Sequence, residues 1–238
     1  MPTLAALKAD LRSLATKERA LGAAKYFKTG PGEYGEGDTF IGVTVPDTRK
    51  IAKKYRDLFM EDLYVLARSK KHEERLCALI ILVGRYQRAK SNAERKELFE
   101  FWLELLADGF VNNWDLIDSS APYLGDILSR HVGYNAEFMR GLANSRNLWE
   151  RRASIMLTFA LIRINKFGPT KAMALELMED NHDLIHKAVG WMLREVGNRD
   201  QEWLTTFLNK YRNQMPRTML RYAIEKYSKE ERAAFLAR

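Results

Sequence analysis

Outside residues 29–45, apolar side chains recur three and four residues apart along almost the whole chain. Nowhere do they alternate long enough to suggest a half-buried strand. The one β-prone run, Ile80–Val83, lies inside a longer helical period that begins at Glu73. This regularity predicts an all-α protein. Helices are expected over 3–17, 20–28, from Thr44-Val45-Pro46 to about 57, and over 59–69, 73–89, 92–107, 114–130 and 135–144. They continue over 149–165, 169–180, 183–197, 200–211, 216–227 and 229–237. Pro46 suits a first turn, where its missing N–H is no loss. The connections are short, so neighbouring helices are expected to be antiparallel.

Four of these helices open in a similar way, with a basic residue followed closely by small and large apolar residues. They are Glu74-Arg75-Leu76-Cys77-Ala78, Arg151-Arg152-Ala153-Ser154-Ile155, His186-Lys187-Ala188-Val189-Gly190 and Arg217-Thr218-Met219-Leu220-Arg221. The last three recur about every 30–35 residues, near the period of helical-pair repeats of the HEAT type. The expected architecture is one domain over residues 1–238, with antiparallel helix pairs stacked as a HEAT-like solenoid. If these four helices form the inner layer, their basic residues line a concave groove. Hydrophobic residues make up 46% of the 238, enough for a sizeable core and too many for a disordered chain. No stretch approaches the roughly 18–20 apolar residues needed to span a bilayer. The N-terminus carries charges where a secretory leader is apolar. Cys77 is the only cysteine and sits in the apolar run Leu76–Val83, so it reads as a core residue. A cytoplasmic protein is expected. The net charge of +8 and pI near 9.5 favour a polyanionic partner.

The helix over 183–196 sharpens that reading. Ile185, Val189, Met192, Leu193 and Val196 fall on one stripe, while Trp191 lies opposite them, close to Lys187 and Arg194. A large ring between two cations suits a flat, anionic, aromatic partner such as nucleic acid, or fills a gap between helices. In Asn113-Trp114-Asp115-Leu116-Ile117-Asp118, Asn113 is a plausible N-cap and Asp115 suits the first turn. Trp114 and Asp118 then share a face, and an indole beside a carboxylate can meet a cationic ring and developing positive charge. A capped helix with a buried tryptophan is the plain alternative. Arg152 sits at the margin of a largely apolar helix, to pair with a carboxylate such as Asp115 or Asp118 or to reach a phosphate.

Other patterns carry less. Gly30-Pro31-Gly32-Glu33-Tyr34-Gly35 matches G-x-G-x-x-G but follows a helix with no βαβ unit, so a helix cap and flexible loop is expected. His182 and His186 are four apart without a third ligand, and Asn181 or Asp183 suggests capping, so no metal is expected. Arg49, Lys50, Lys53, Lys54 and Arg56 make one basic helix, read as a solvated face that could also grip a nucleic-acid backbone.

Several of these features occur together in one known family. Lys25-Tyr26-Phe27, Thr44-Val45-Pro46, Trp114-Asp115-x-x-Asp118, Trp149-x-x-Arg152 and Lys187-Ala188-x-Gly190-Trp191-x-Leu193-Arg194-Glu195 appear in that order. From about residue 20 to 227 the chain resembles the AlkD-type DNA alkylation repair proteins, HEAT-like-repeat DNA glycosylases. The segment Gly30–Asp38 is longer and richer in glycine than the family pattern. The resemblance implies a C-shaped solenoid that binds duplex DNA carrying alkylated bases. It also implies hydrolysis of the N-glycosidic bond of cationic purines such as 3-methyladenine and 7-methylguanine, without extruding the base. By the same resemblance, Asp118 is the catalytic carboxylate and Trp114 and Trp191 flank the deoxyribose. Tyr26, Thr44, Pro46, Arg152, Lys187 and Arg194 contact DNA. No cofactor is implied, and a monomer is expected. The rival readings are a DNA-gripping module without chemistry and a protein-interaction scaffold.

Overall fold

The computed structural model describes residues 2–237, whose regular elements are all helices, with a single isolated bridge between Thr39 and Lys71. They form two compact units, one up to Ser120 and the other from Ala121. The first contains α1 (Leu4–Ser13), α2 (Lys17–Tyr26), α3 (Val45–Lys54), α4 (Met60–Ala67), α5 (His72–Arg88), α6 (Asn92–Ala107) and α7 (Trp114–Asp118). The second contains α8 (Ala121–Leu124), α9 (Ile127–Arg130), α10 (Ala136–Ala143), α11 (Leu148–Met156), α12 (Phe159–Ile162), α13 (Gly168–Glu176), α14 (Asp183–Gly197), α15 (Gln201–Tyr211), α16 (Arg217–Ala223) and α17 (Lys229–Leu236).

Each unit is built around one helix. In the first, α5 is buried on nearly every side and packs against α3, α4, α6 and α7. Cys77 lies within it, and burial pushes its thiol up to about 12, as suits an inert core residue. In the second, α14 packs against α11, α13, α15 and α16. Its expected stripe of Ile185, Val189, Met192, Leu193 and Val196 is 0% exposed. α16 comes close because position 190 is glycine: a Cβ there would lie 2.4 Å from the Met219 carbonyl oxygen.

The repeat reading gains a structural signature. The pairs α4–α5, α10–α11 and α13–α14 are each in contact, and each second helix is entered by the same turn. The Ser69, Ser145 and Asp180 side chains accept from the amides two residues on, Lys71, Asn147 and His182, at 3.1, 3.0 and 2.8 Å. Six residues on, Arg75 and Arg151 donate back to the Ser69 and Ser145 carbonyls, both at 3.0 Å, and His186 donates to that of Asp180. The turn thus gives a partner to the amide just ahead of each second helix and to a carbonyl of the connection that lies outside any helical ladder. The fourth opening departs from this, since Arg217 donates instead to the Leu236 carbonyl at 2.8 Å.

Two expected helices are broken. Residues 114–130 form three short helices, α7, α8 and α9. Pro122 has no N–H and its ring crowds the carbonyl four residues back, so α7 cannot run on. At Gly125 a Cβ would lie 1.9 Å from the Leu157 carbonyl oxygen, so chain direction there is set by a backbone crossing. The same crossing coincides with the second break, where 149–165 divides into α11 and α12. There the buried Thr158 hydroxyl donates to the Ile155 carbonyl at 2.7 Å and competes with the helical ladder. The first expected helix also ends early, because Thr16 caps α2.

The Gly-rich segment is tied down rather than flexible. Lys28 takes a left-handed φ of 52° and closes α2, with the Thr29 amide returning to the Ala24 carbonyl at 3.2 Å. The Gly35 amide donates to the Lys28 carbonyl at 3.1 Å, and Glu33 and Glu36 accept from the Gly30 and Gly32 amides at 3.0 and 2.8 Å. The segment ends by delivering Asp38 into the interior of the first unit.

Candidate functional site

In the first unit, α7 holds the tryptophan–carboxylate pair. The Asn113 side chain caps it as expected, accepting from the Trp114 amide at 2.9 Å. Trp114 and Asp118, one turn apart, are both half-buried. The Trp114 ring stacks on Phe27, with centroids 5.2 Å apart and planes 20° from parallel. Phe27 stacks on Phe40 at 5.0 Å, and Phe40 on the His72 imidazole at 4.5 Å. Tyr26, 66% exposed, meets the Trp114 ring edge-on at 6.0 Å. Thr44 caps α3, and exposed Pro46 lies in the first turn, as expected.

Beneath these rings lies a buried charge network that sequence reasoning missed. His72 is 1% exposed, and its Nδ1 and Nε2 stand 2.7 and 2.8 Å from carboxylate oxygens of Asp38 and Asp115. Arg75 donates to Asp38 at 2.7 Å and to the Asn112 side chain at 2.9 Å. With two carboxylates as acceptors, both ring nitrogens must donate, so the ring is an imidazolium. Burial opposes that charge, but Asp115 and Asp38 outweigh it and raise His72 from 6.5 to about 9. Burial would likewise raise Asp38, yet His72 and Arg75 hold it below the usual carboxylate range. Two cations and two anions compensate one another, as buried charges must. The adjacent Glu73 accepts from the Ile41, Gly42 and Val43 amides, binding the same loop to α5. The overlooked signal was four consecutive ionisable residues, His72–Arg75, set directly against the apolar run Leu76–Val83; all four are buried.

In the second unit, α14 carries Lys187, Trp191 and Arg194 on the side away from its buried stripe. Trp191 is half-buried, and its Nε1 donates to Glu195 at 2.9 Å. The two flanking cations are not bare: Lys187 pairs with Asp183 at 2.7 Å, and Arg194 pairs with Glu225 and lies 3.9 Å from Glu195. Arg152, only 4% exposed, donates to the Leu184 carbonyl at the start of α14. Asp115, one of the carboxylates considered for it, is engaged by His72. The two histidines act locally. His182, rather than Asn181 or Asp183, caps α14, its Nδ1 accepting from the Leu184 amide at 3.1 Å. That role needs a neutral ring, and burial lowers its pKa accordingly.

The model of the DNA alkylation repair enzyme family matches residues 7–227, and the chain belongs to that family. Among solved structures it is similar to a protein described as a predicted DNA alkylation repair enzyme from Enterococcus faecalis, with 17% identity and a TM-score of 0.69 over 90% of this chain and 97% of that one. It is also similar to AlkD2 from Streptococcus mutans, with 17% identity and a TM-score of 0.55 over 95% and 97% of the two chains. A third structure, smu.31 from Streptococcus mutans UA159, gives 18% identity and a TM-score of 0.52 over 94% and 96%. At such identities these likenesses speak to the fold. No curated protein matches the chain. Among the described residues no helix is long and apolar enough to cross a membrane.

Proposed function

We propose that this protein is a monofunctional DNA glycosylase that hydrolyses the N-glycosidic bond of cationic alkylated purines, such as 3-methyladenine and 7-methylguanine, in duplex DNA. The observation that carries the reading is the pairing of half-buried Trp114 with Asp118, one turn apart on α7, in a chain of the DNA alkylation repair family. An N-alkylated purine already bears positive charge, so it leaves without an acid catalyst. As the bond breaks, charge moves to the deoxyribose. Asp118 stabilises that charge and orients or deprotonates the attacking water. Trp114 and Trp191 offer π faces to the cationic sugar, each worth about 0.5–2 kcal/mol. Tyr26, Thr44, Pro46, Lys187 and Arg194 are assigned to DNA binding, while Arg152, buried and donating to the Leu184 carbonyl, supports the start of α14. No lysine nucleophile takes part, so the strand stays intact.

The test is incubation with methylated duplex DNA and chromatography of the released bases. Asp118→Asn should slow 7-methylguanine release on the order of 100-fold, the scale of losing one transition-state electrostatic contact. Trp191→Ala should also reduce it. Release unchanged in both variants rejects the assignment, and DNA binding with no base released by the wild type would leave only a gripping module.

A further inference from the structure

The geometry of the first unit points to a residue beyond those the family motifs supply. We propose that His72 is a positioning residue: clamped between Asp38 and Asp115, it fixes α7 and, through the ring stack, the plane of Trp114.

Three observations converge. First, α7 has only five residues, too short to hold its own conformation without outside contacts. Its Asn113 cap and the His72–Asp115 bond supply them at its first turn, next to Trp114. Second, the other end of the imidazole is held by Asp38, which is in turn held by Arg75, a residue of α5 itself. The clamp is therefore referred to the central helix rather than to a loose loop. Third, His72, Phe40, Phe27 and Trp114 form a continuous series of stacked rings, with successive centroids 4.5, 5.0 and 5.2 Å apart. A tilt of the imidazole is thus transmitted to the indole by direct contact. His72 touches no reacting atom in this scheme. It acts through Asp115 and Phe40.

The inference rests on the reading of Trp114 as part of the site, but its primary test does not require base release. In the full chain, the near-UV circular dichroism lost on Trp114→Phe reports the asymmetry of that one ring. The same difference is taken for His72→Gln, with and without Trp114→Phe. His72→Gln keeps much of the bulk but loses the ring and its charge, and its two N–H donors share one nitrogen instead of standing on the separate nitrogens that meet Asp38 and Asp115. The expected result is unchanged far-UV dichroism with the Trp114 band reduced at least about twofold, and kcat for 7-methylguanine release reduced about 10-fold at a KM within about twofold, as for a misplaced group. A full-strength Trp114 band in the folded variant overturns the proposal. Should His72→Gln fail to fold, Asp115→Asn is measured in the same way, and loss of fold in both variants assigns His72 to stability alone and overturns it. If the wild type releases no base, the glycosylase reading fails while the dichroism still decides the clamp.

Discussion

His72 ties protonation to stability. Its pKa is about 9 in the fold against an ordinary 6.5, so the folded protein binds a proton that the unfolded chain releases. The stabilisation is full below about 6.5 and is lost as pH rises through about 9. Asp38, held below its ordinary 3.8, acts in the opposite sense: its contribution is present above that value and lost as pH falls through its lowered folded pKa. Urea-unfolding midpoints of the wild type should therefore decline between pH 6.5 and 9 more steeply than those of His72→Gln. Parallel curves for the two proteins would mean that His72 is not charged in the fold. At Trp191, the Glu195 contact makes a different forecast. Glu195→Gln keeps an acceptor for the indole N–H, whereas Glu195→Ala frees the ring. Alanine should lower base release more than glutamine does, and equal effects would show that charge rather than indole placement matters.

At the level of elements, one glycine is as consequential as a core leucine. Gly190 lets α16 lie against α14, and a methyl group there would press on the Met219 carbonyl at 2.4 Å and the Tyr222 Cβ at 2.5 Å. Backbone cannot yield as a flexible side chain can, so Gly190→Ala should destabilise by about 1–3 kcal/mol or more despite alanine's better helix propensity. Gly22 is the control. It lies in α2, where an added methyl group would meet nothing within 4 Å, so Gly22→Ala should be neutral or stabilising by up to about 1 kcal/mol. Thermal denaturation of the two variants separates close packing from intrinsic propensity, and equal shifts would refute the packing argument. The recurring entry turn has a similar status. Its serine and aspartate side chains were legible as polar residues before helices, but the bond back across six residues exists only once the chain has turned.

For the molecule as a whole, a charge of +8 is what 39 basic groups leave after 31 acidic ones offset them, so ion pairing decides where the excess lies and not how large it is. On and beside α3, Lys50 pairs with Asp47, Lys54 with Asp10 and Arg56 with Asp57. Arg49 and Lys53 are exposed and in no ion pair among the described residues. Affinity for duplex DNA should fall with salt along a straight log–log line, each neutralised phosphate adding about 0.9 to the slope. Replacing both Arg49 and Lys53 with glutamine should flatten it by roughly 1–2 if α3 meets the backbone, and an unchanged slope would place the contact elsewhere.

What the sequence alone determined were the features set within a few turns of chain: the helices, the buried stripe of α14, the cap at Asn113 and the shared face of Trp114 and Asp118. These follow from periodicities and capping bonds that span four residues or fewer. Tertiary structure alone decided which charges meet. His72 finds Asp38 and Asp115 across 34 and 43 positions, and Arg194 finds Glu225 across 31. It also broke residues 114–130 and 149–165, where backbones cross at Gly125 and Leu157. Local bonds depend on the identities of near neighbours, but a charge pair or a backbone crossing depends on where distant segments come to rest, and no spacing along the chain encodes that position.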